Sequence, residues 1–255
     1  MNQARRIQQN FSRAAASYDL HAKFQQQQAR RVYAAAMQAM PEIARIADIG
    51  CGTGQFAALA AAERPQWEIT GIDFSFGMLQ QAAARCRYAL NADATALPLA
   101  DGAVHGIVSS LCMQWVENKP AMLAEIRRVL KPDGIAVLTT LADRTLWELR
   151  EAGVAAGINV SLLPMLAAKD YRMLAERSGM EIAGFQQTIE RDFYPSVEAL
   201  LGSIRAIGAG SAEGARRHIP PRRFAAMIQH YEASHTGARG VYASWQPVLM
   251  MLRKR

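Results

Sequence analysis

Asp48-Ile49-Gly50-Cys51-Gly52-Thr53-Gly54 is the stretch that decides how this chain folds. An apolar run, 44–47, enters the glycines, and a helix-forming stretch, 56–63, leaves them. A second apolar run, 69–72, ends at Asp73, 19 residues beyond Gly54. This is the layout of a nucleoside-binding first β-α-β unit. The glycines turn the chain tightly and let its backbone approach a ligand, while the acid after the second strand accepts hydrogen bonds from ribose hydroxyls. Alternating glycines preceded by Asp48 suit a sulfonium nucleoside, S-adenosylmethionine, better than a dinucleotide. Such a cofactor has no pyrophosphate to seat on a helix N-terminus, so the longer G-x-G-x-x-G loop is not needed. Asp48, Gly50, Cys51, Gly52, Gly54 and Asp73 are the first candidate cofactor contacts, with Phe74 and Met78 just beyond them.

Outward from this stretch, apolar runs and helical patterns alternate through residue 141. Strands are predicted at 44–49, 67–73, 88–92, 104–110 and 135–141, and helices at 54–64, 75–86 and 119–130. Pro65, Pro98, Pro120 and Lys131-Pro132-Asp133-Gly134 punctuate them. Alternation of this kind predicts an α/β fold with a mostly parallel sheet and helices on both faces. Ligands in such sheets sit beyond the carboxyl ends of the strands. Gly50, Asp73, Asp93 and Ser109-Ser110 all fall at strand ends, so one crevice should gather them. Asp93 is placed to accept a hydrogen bond from an adenine amino group, with the Ala94 backbone against the ring. Ser109 and Ser110, at the end of the fourth strand, allow close backbone approach near a reacting methyl group.

Beyond residue 141 the pattern changes. Helices are expected at 144–153 and 166–177, a strand at 180–193, a mostly helical stretch at 195–235 and a last strand at 241–252. The domain reading is an N-terminal helical cap, 1–40; an α/β core, 41–194; a helical lid inserted at 195–239; and a final core strand within 240–255.

The 255 residues carry a net charge of +7, which implies an anionic partner. No run approaches the ~18 apolar residues needed to span a bilayer, so no membrane role is expected. Cys51, Cys86 and Cys112 have no paired spacing, which argues against a disulfide framework and zinc and fits a reducing cytoplasm. The five histidines have no metal-ligand spacing, and no metal is expected. No nucleophile triad is apparent. No aromatic-interleaved basic stripe is present, so nucleic acid is not the expected partner.

The motifs over 44–141 resemble those of class I S-adenosylmethionine-dependent methyltransferases of the type 11 kind. The fold implied is a Rossmann-like, mostly parallel seven-stranded sheet with helices on both faces and a helical lid. Segments outside that core are similar to the malonyl-[acyl-carrier protein] O-methyltransferases of biotin synthesis: Phe11-Ser12-Arg13-Ala14-Ala15-Ala16-Ser17-Tyr18-Asp19 with His21-Ala22, Ala96-Leu97-Pro98-Leu99-Ala100-Asp101-Gly102, Ser109-Ser110-Leu111 with Gln114-Trp115, Thr139-Thr140-Leu141, and Arg205-Ala206-Ile207-Gly208-Ala209. The resemblance implies methylation of the free carboxylate of a malonyl thioester. The chain departs from the pattern at His105, usually Asp; at Asp133, commonly Gly; at Arg205-Ala206, usually Lys-Gly; and over Val241–Trp245.

A carboxylate is ionised at neutral pH, so this chemistry needs no general base. It needs positioning, exclusion of water and a cation to draw the carboxylate out of solvent. Arginine serves that purpose best. Arg13 and Tyr18 on the cap and Arg205 in the lid are the candidates. Arg216, Arg217, Arg222 and Arg223, with Arg30-Arg31, would suit docking of an acidic acyl carrier protein. Two other readings stay open: a methyltransferase acting on another small acceptor such as a quinone precursor or a different acid, and a non-catalytic protein that binds the cofactor or RNA. A dehydrogenase is disfavoured by the missing spacer residue in the loop and the lack of a proton-donor motif.

Overall fold

The computed structural model describes residues 3–160, 162–209 and 219–255. Its strands are β1 (Ala44–Ile49), β2 (Trp67–Asp73), β3 (Tyr88–Asn91), β4 (Val104–Ser110), β5 (Leu130–Leu141), β6 (Glu181–Gln187), β7 (Glu190–Tyr194), β8 (Thr236–Gly237), β9 (Gly240–Trp245) and β10 (Pro247–Arg253). Seven of them form one sheet in the order β3-β2-β1-β4-β5-β10-β6. The first five are parallel, and β10 runs antiparallel to both β5 and β6. Strand order reverses between β1 and β4, the place where an open α/β sheet leaves a crevice at its carboxyl edge.

The helices are α1 (Gln3–Ala14), α2 (Tyr18–His21), α3 (Lys23–Ala39), α4 (Gln55–Glu63), α5 (Phe76–Ala82), α6 (Lys119–Val129), α7 (Trp147–Ala155), α8 (Ala168–Arg177), α9 (Val197–Ala206) and α10 (Pro221–Ser234). Alternation along the strands sends side chains to two cores. On one face Ile46, Val108 and Val137 meet Val32 and Ala36 of α3 and Phe56 and Ala60 of α4. On the other, Ile107, Leu138 and Val248 meet Met122 and Ile126 of α6 and Tyr171 and Ala175 of α8. Each such buried aliphatic side chain contributes about 1.5–3 kcal/mol. Asn118 starts α6 by accepting a bond from the Ala121 N–H at 3.1 Å, with Pro120 in the first turn.

Two expected strands are in fact four. The run 180–193 divides at residues 188–189 into β6 and β7, and the run 241–252 divides at Gln246 into β9 and β10. β6 and β10 belong to the main sheet, whereas β9 pairs with β7 on one side and β8 on the other in a second, three-stranded sheet. Both chains change sheets at one level. There the Thr188 N–H bonds the Pro247 carbonyl at 3.2 Å. Gln246 turns to the 142–145 segment, its N–H bonding Thr145 Oγ1 and its Oε1 accepting from the Arg144 N–H. β9 and β10 are both largely apolar, so hydrophobicity alone does not mark the break at Gln246. Helix α5 is also shorter than expected, ending at Ala82. β5 starts earlier, at Leu130, and 131–134 form an irregularity where Val104 pairs Leu130 but Gly106 pairs Ile135.

The segment from β7 to β9 contributes Val197, Leu200, Met227, Tyr231, Val241 and Trp245 to a separate core. That core includes Leu111 after β4, Leu141 at the end of β5 and Leu149 of α7. Residues 195–209 and 219–245 therefore pack over the carboxyl edge of the sheet.

Candidate active site

A cavity of about 900 Å³ opens at the carboxyl ends of β1, β2, β4 and β5. Gly50, Gly52, Asp73, Phe74, Met78, Asp93, Ala94 and Ser110 line one end. Leu146, Leu149, Val160, Leu162, Leu201 and Phe224 line the other. Tyr18, Leu111, Trp115, Lys119 and Arg205 are also on its walls.

The loop geometry follows from its glycines. Gly50, Gly52 and Gly54 have φ of +71°, +55° and +82°, values side-chain-bearing residues avoid. The Gly50 and Cys51 N–H groups both bond the Ile72 carbonyl, at 2.7 and 3.1 Å, tying the loop to β2. A Cβ at Gly50 would fall 2.5 Å from Cys112 Cβ, whereas one at Gly52 would meet nothing within 4 Å. Gly52 therefore borders open space and Gly50 a tight wall. Gly54 begins α4 and faces Ala82 and Arg85 rather than the cavity.

Asp73 is ordered by the loop. Its Oδ2 accepts from the Gly52 N–H at 2.9 Å and its Oδ1 from the Ser75 N–H at 2.8 Å. Burial raises its pKa above the ordinary carboxylate value despite those bonds. Asp93 accepts from Thr95 N–H and Oγ1 at 2.8 and 2.7 Å, which sets the turn that carries Ala94.

Asp48 is almost wholly buried, at 3% exposure, beneath the loop. It borders a smaller space of about 50 Å³ shared with Tyr18, Gly50, Cys51 and Gly52. Desolvation first, then Cys86 and the charge of Asp73, push its carboxyl well above the usual range. A buried carboxyl in this state favours a cation beside it. The open space at Gly52, the buried acid at Asp48 and the ordered carboxylate of Asp73 are together a donor and acceptor set that fits an adenosyl sulfonium. Cys112 also lines the cavity; burial, with the charges of Asp73 and Asp48, pushes its thiol up to about 12. It stays protonated and is no nucleophile at neutral pH.

Some candidates lie elsewhere. Ser109 is fully buried and donates to the Ile49 carbonyl at 2.7 Å, so it braces the end of β1 instead of meeting a ligand. Arg13 is exposed and absent from the cavity wall. Helical phase explains this: Ala4, Ile7 and Phe11 of α1 line the cavity, and Arg13 sits about 200° around the axis from Phe11. Arg205, in the last turn of α9, does reach the wall. Tyr18 reaches both spaces, and burial, with the charges of Asp73 and Asp19, raises its phenol so that it remains a donor. Of the basic cluster, Arg216 and Arg217 lie outside the described residues. Arg30 and Arg222 are exposed, Arg31 is paired with Glu190, and Arg223 donates to the Gly157 carbonyl at 3.1 Å.

Two residues were not singled out from sequence. Lys119 lines the cavity with its Nζ bonded to the Val116 carbonyl at 2.8 Å, and burial lowers its pKa. Its placement at the start of α6, beside Trp115, was the available signal. Asp19 ties the cap to the glycine loop; as the one acid within 1–41, it could have been noticed.

The cap closes the cofactor end. Gln8 Nε2 donates to the Phe74 carbonyl at 2.6 Å, and the Ser12 and Ser75 hydroxyls lie 2.8 Å apart. Phe11 meets Trp115 edge-on, with centroids 5.2 Å apart. Leu111 and Leu146, both on the wall, have φ of +54°, strained for leucine and held by the Leu111 N–H to Thr139 and Leu146 N–H to Ser244 bonds.

The fold and the site are those of a class I methyltransferase. A methyltransferase-domain family matches residues 47–138. A SAM-dependent methyltransferase of Thermotoga maritima shares the fold with a TM-score of 0.57, at 16% identity over 98% of this chain and 100% of that one. Among curated proteins, the malonyl-[acyl-carrier protein] O-methyltransferase of Alcanivorax borkumensis is 33% identical over 97% of this chain and 86% of its own length. That of Geobacter sulfurreducens is 32% identical over 96% of each. The chain belongs to the malonyl-[acyl-carrier protein] O-methyltransferase family. Among the described residues, no helix is long and apolar enough to cross a membrane and no cluster of metal-ligating side chains occurs.

Proposed function

We propose that this protein transfers a methyl group from S-adenosylmethionine to the free carboxylate of a malonyl group held as a thioester on acyl carrier protein or coenzyme A. The observation that carries the reading is one continuous cavity that joins the Gly50–Asp73–Asp93 wall to Tyr18, Lys119 and Arg205. When bound, the cofactor supplies an electrophilic methyl on sulfur: an O–C bond forms, the C–S bond breaks, and the sulfur leaves as a neutral thioether.

The residues of the chain do the rest. Asp73 stands where ribose hydroxyls can be held, Asp93 and Ala94 where adenine can lie, and the cationic portion beside Asp48 would draw its desolvated carboxyl back towards the ionised form. Lys119 and Arg205 offset the desolvation of an anionic acceptor. Tyr18 supplies a neutral donor. Phe11, Leu111 and Trp115 keep water from the reacting atoms. The acceptor is already ionised, so the chain need only hold its oxygen in line with the methyl, and such positioning supplies about 7–11 kcal/mol.

The exposed Arg30 and Arg222 support docking of an acidic carrier protein on a basic face. Residues 3–21 and the two helices α9 and α10 act as lids over the cavity. The free thiols of Cys51, Cys86 and Cys112 support a cytoplasmic setting. One observation favours a second acceptor: the Leu146–Leu149–Leu201–Phe224 end of the cavity is apolar, which suits an acid with a longer hydrocarbon portion. Expression in a biotin auxotroph lacking its own carboxyl methyltransferase separates the two. Rescue supports the malonyl reading; failure to rescue, with methylation of a longer acid in vitro, replaces it.

A further inference from the structure

Asp19 occupies a junction that the transfer reaction itself does not require. Its Oδ1 accepts from Thr53 Oγ1 at 2.7 Å and from Gln55 Nε2 at 2.9 Å. Its Oδ2 pairs with Arg85 Nη1 at 3.0 Å. The same Arg85 nitrogen donates to the Thr53 carbonyl at 3.1 Å. Three separate pieces of chain therefore converge on one carboxylate: α2 of the cap, the end of the glycine loop where α4 begins, and the residues after α5. Burial alone would raise the Asp19 carboxyl, but the bonds from Thr53, Gln55 and Arg85 and the Arg85 charge outweigh it and leave it below the ordinary value.

The neighbours of Asp19 give the junction its meaning. Tyr18, the preceding residue, borders both the main cavity and the small space beneath Gly50 and Gly52. Gln26 of α3 donates to the Asp19 carbonyl at 2.7 Å, which fixes the backbone at that point. On the other side of the site, α1 is fastened separately to Phe74 and Ser75. The cap is thus held to both segments that border the cofactor end of the cavity, and the glycine-loop attachment runs through Asp19.

We propose that Asp19 is a positioning residue that latches the N-terminal cap to the glycine loop, so that closure of the cap and retention of the cofactor are one coupled event. The proposal builds on the assignment of the Gly50–Asp73 end to S-adenosylmethionine, and it is independent of which acid accepts the methyl. Opening the cap without the latch no longer requires breaking the Thr53, Gln55 and Arg85 bonds. A bound nucleoside should therefore leave faster, while the core of the sheet is untouched. The Asp19 and Arg85 side chains are each 37% exposed, so solvent moderates the effect. The expected loss is roughly tenfold in affinity, equivalent to about 1.4 kcal/mol.

The test uses the full chain and S-adenosylhomocysteine as probe, with Asp19→Asn and Arg85→Gln as two independent ways to break the latch. Calorimetry gives affinity, stopped-flow gives dissociation, and hydrogen exchange follows residues 3–21. The latch predicts that both variants release the probe roughly tenfold faster and that probe-induced protection of 3–21 falls. Their thermal midpoints without probe should stay close to wild type. Paired with a methyl acceptor, KM for the cofactor should rise more than kcat falls. A purely structural role predicts the reverse: lowered midpoints and unchanged release. Wild-type binding with unaltered release and exchange in both variants overturns the latch alone. A wild-type chain that takes up no probe overturns the cofactor assignment beneath it.

Discussion

Replacing Gly50 with alanine should break both the fold's margin and the cofactor loop, by amounts the geometry sets. The added Cβ would lie 2.5 Å from Cys112 Cβ and 2.6 Å from its Sγ. Those atoms sit close to their own backbone, so a rotamer change cannot clear the Cβ contact, and backbone must move. Overpacking of this sort costs about 1–3 kcal/mol. The residue also sits at φ +71°, which costs an L-residue about 1–2 kcal/mol. The sum, about 2–5 kcal/mol, corresponds to a fall in thermal midpoint of about 4–20 °C for a chain of this size. Because the Gly50 N–H bonds the Ile72 carbonyl at 2.7 Å, the shift also drags the loop relative to Asp73. Gly52→Ala is the contrast: it carries the conformational strain without the clash, and its methyl enters the cavity. Thermal unfolding and calorimetry with S-adenosylhomocysteine should show Gly50→Ala losing stability and affinity, and Gly52→Ala losing chiefly affinity. Adding Cys112→Gly to Gly50→Ala removes the clash and should restore part of the midpoint. A Gly50→Ala chain with unaltered midpoint and affinity, or no recovery in the double variant, refutes the reasoning.

Asp48→Asn should make the ligand-free chain more stable and the cofactor complex weaker. The folded-state pKa of Asp48 is raised, so its favourable contribution is complete below the ordinary value near 4 and is lost as pH climbs through the folded pKa. The gap between variant and wild type should therefore widen from acid to neutral pH in thermal unfolding, while calorimetry at neutral pH shows weaker binding. Lys119→Met and Arg205→Ala should raise KM for an anionic acceptor roughly tenfold or more with little change in cofactor affinity. Steady-state kinetics with malonyl carrier protein checks this, and an unmoved KM in both removes them from acceptor binding. Ser109→Ala should cost about 1–3 kcal/mol, because it leaves the buried Ile49 carbonyl short of a donor; denaturant unfolding measures it.

The parallel half of the sheet was legible because its strands are apolar runs, and β1, β2, β3 and β5 are closed by a glycine or an acid. The glycine loop, Asp73, Asp93 and Ala94 were legible for the same reason: their placement at strand ends is a local property. Arg13 was misjudged because its side of α1 depends on how that helix docks, which Ile7 and Phe11 decide. Ser109 was misjudged because the side of β4 that turns inward depends on register, and its hydroxyl meets Ile49 instead of a ligand. Asp19 and Lys119 act through partners far along the chain or through a backbone carbonyl, and no spacing announces either. The sheet change at Gln246 was hidden because β9 and β10 carry the same apolar character, and that at 188–189 because both sides of it are extended; tertiary pairing alone separates the halves.

The central claim is that one cavity brings a sulfonium-bound methyl to a free malonyl carboxylate. Intact mass spectrometry of malonyl carrier protein, after incubation with the enzyme and S-adenosylmethionine, tests it most directly, with acetyl carrier protein as the control. The account predicts one added methyl group on the malonyl form, removed by mild alkali, and none on the acetyl form, which has no free carboxylate. An unmodified malonyl carrier protein, from an enzyme that binds S-adenosylhomocysteine, would contradict it.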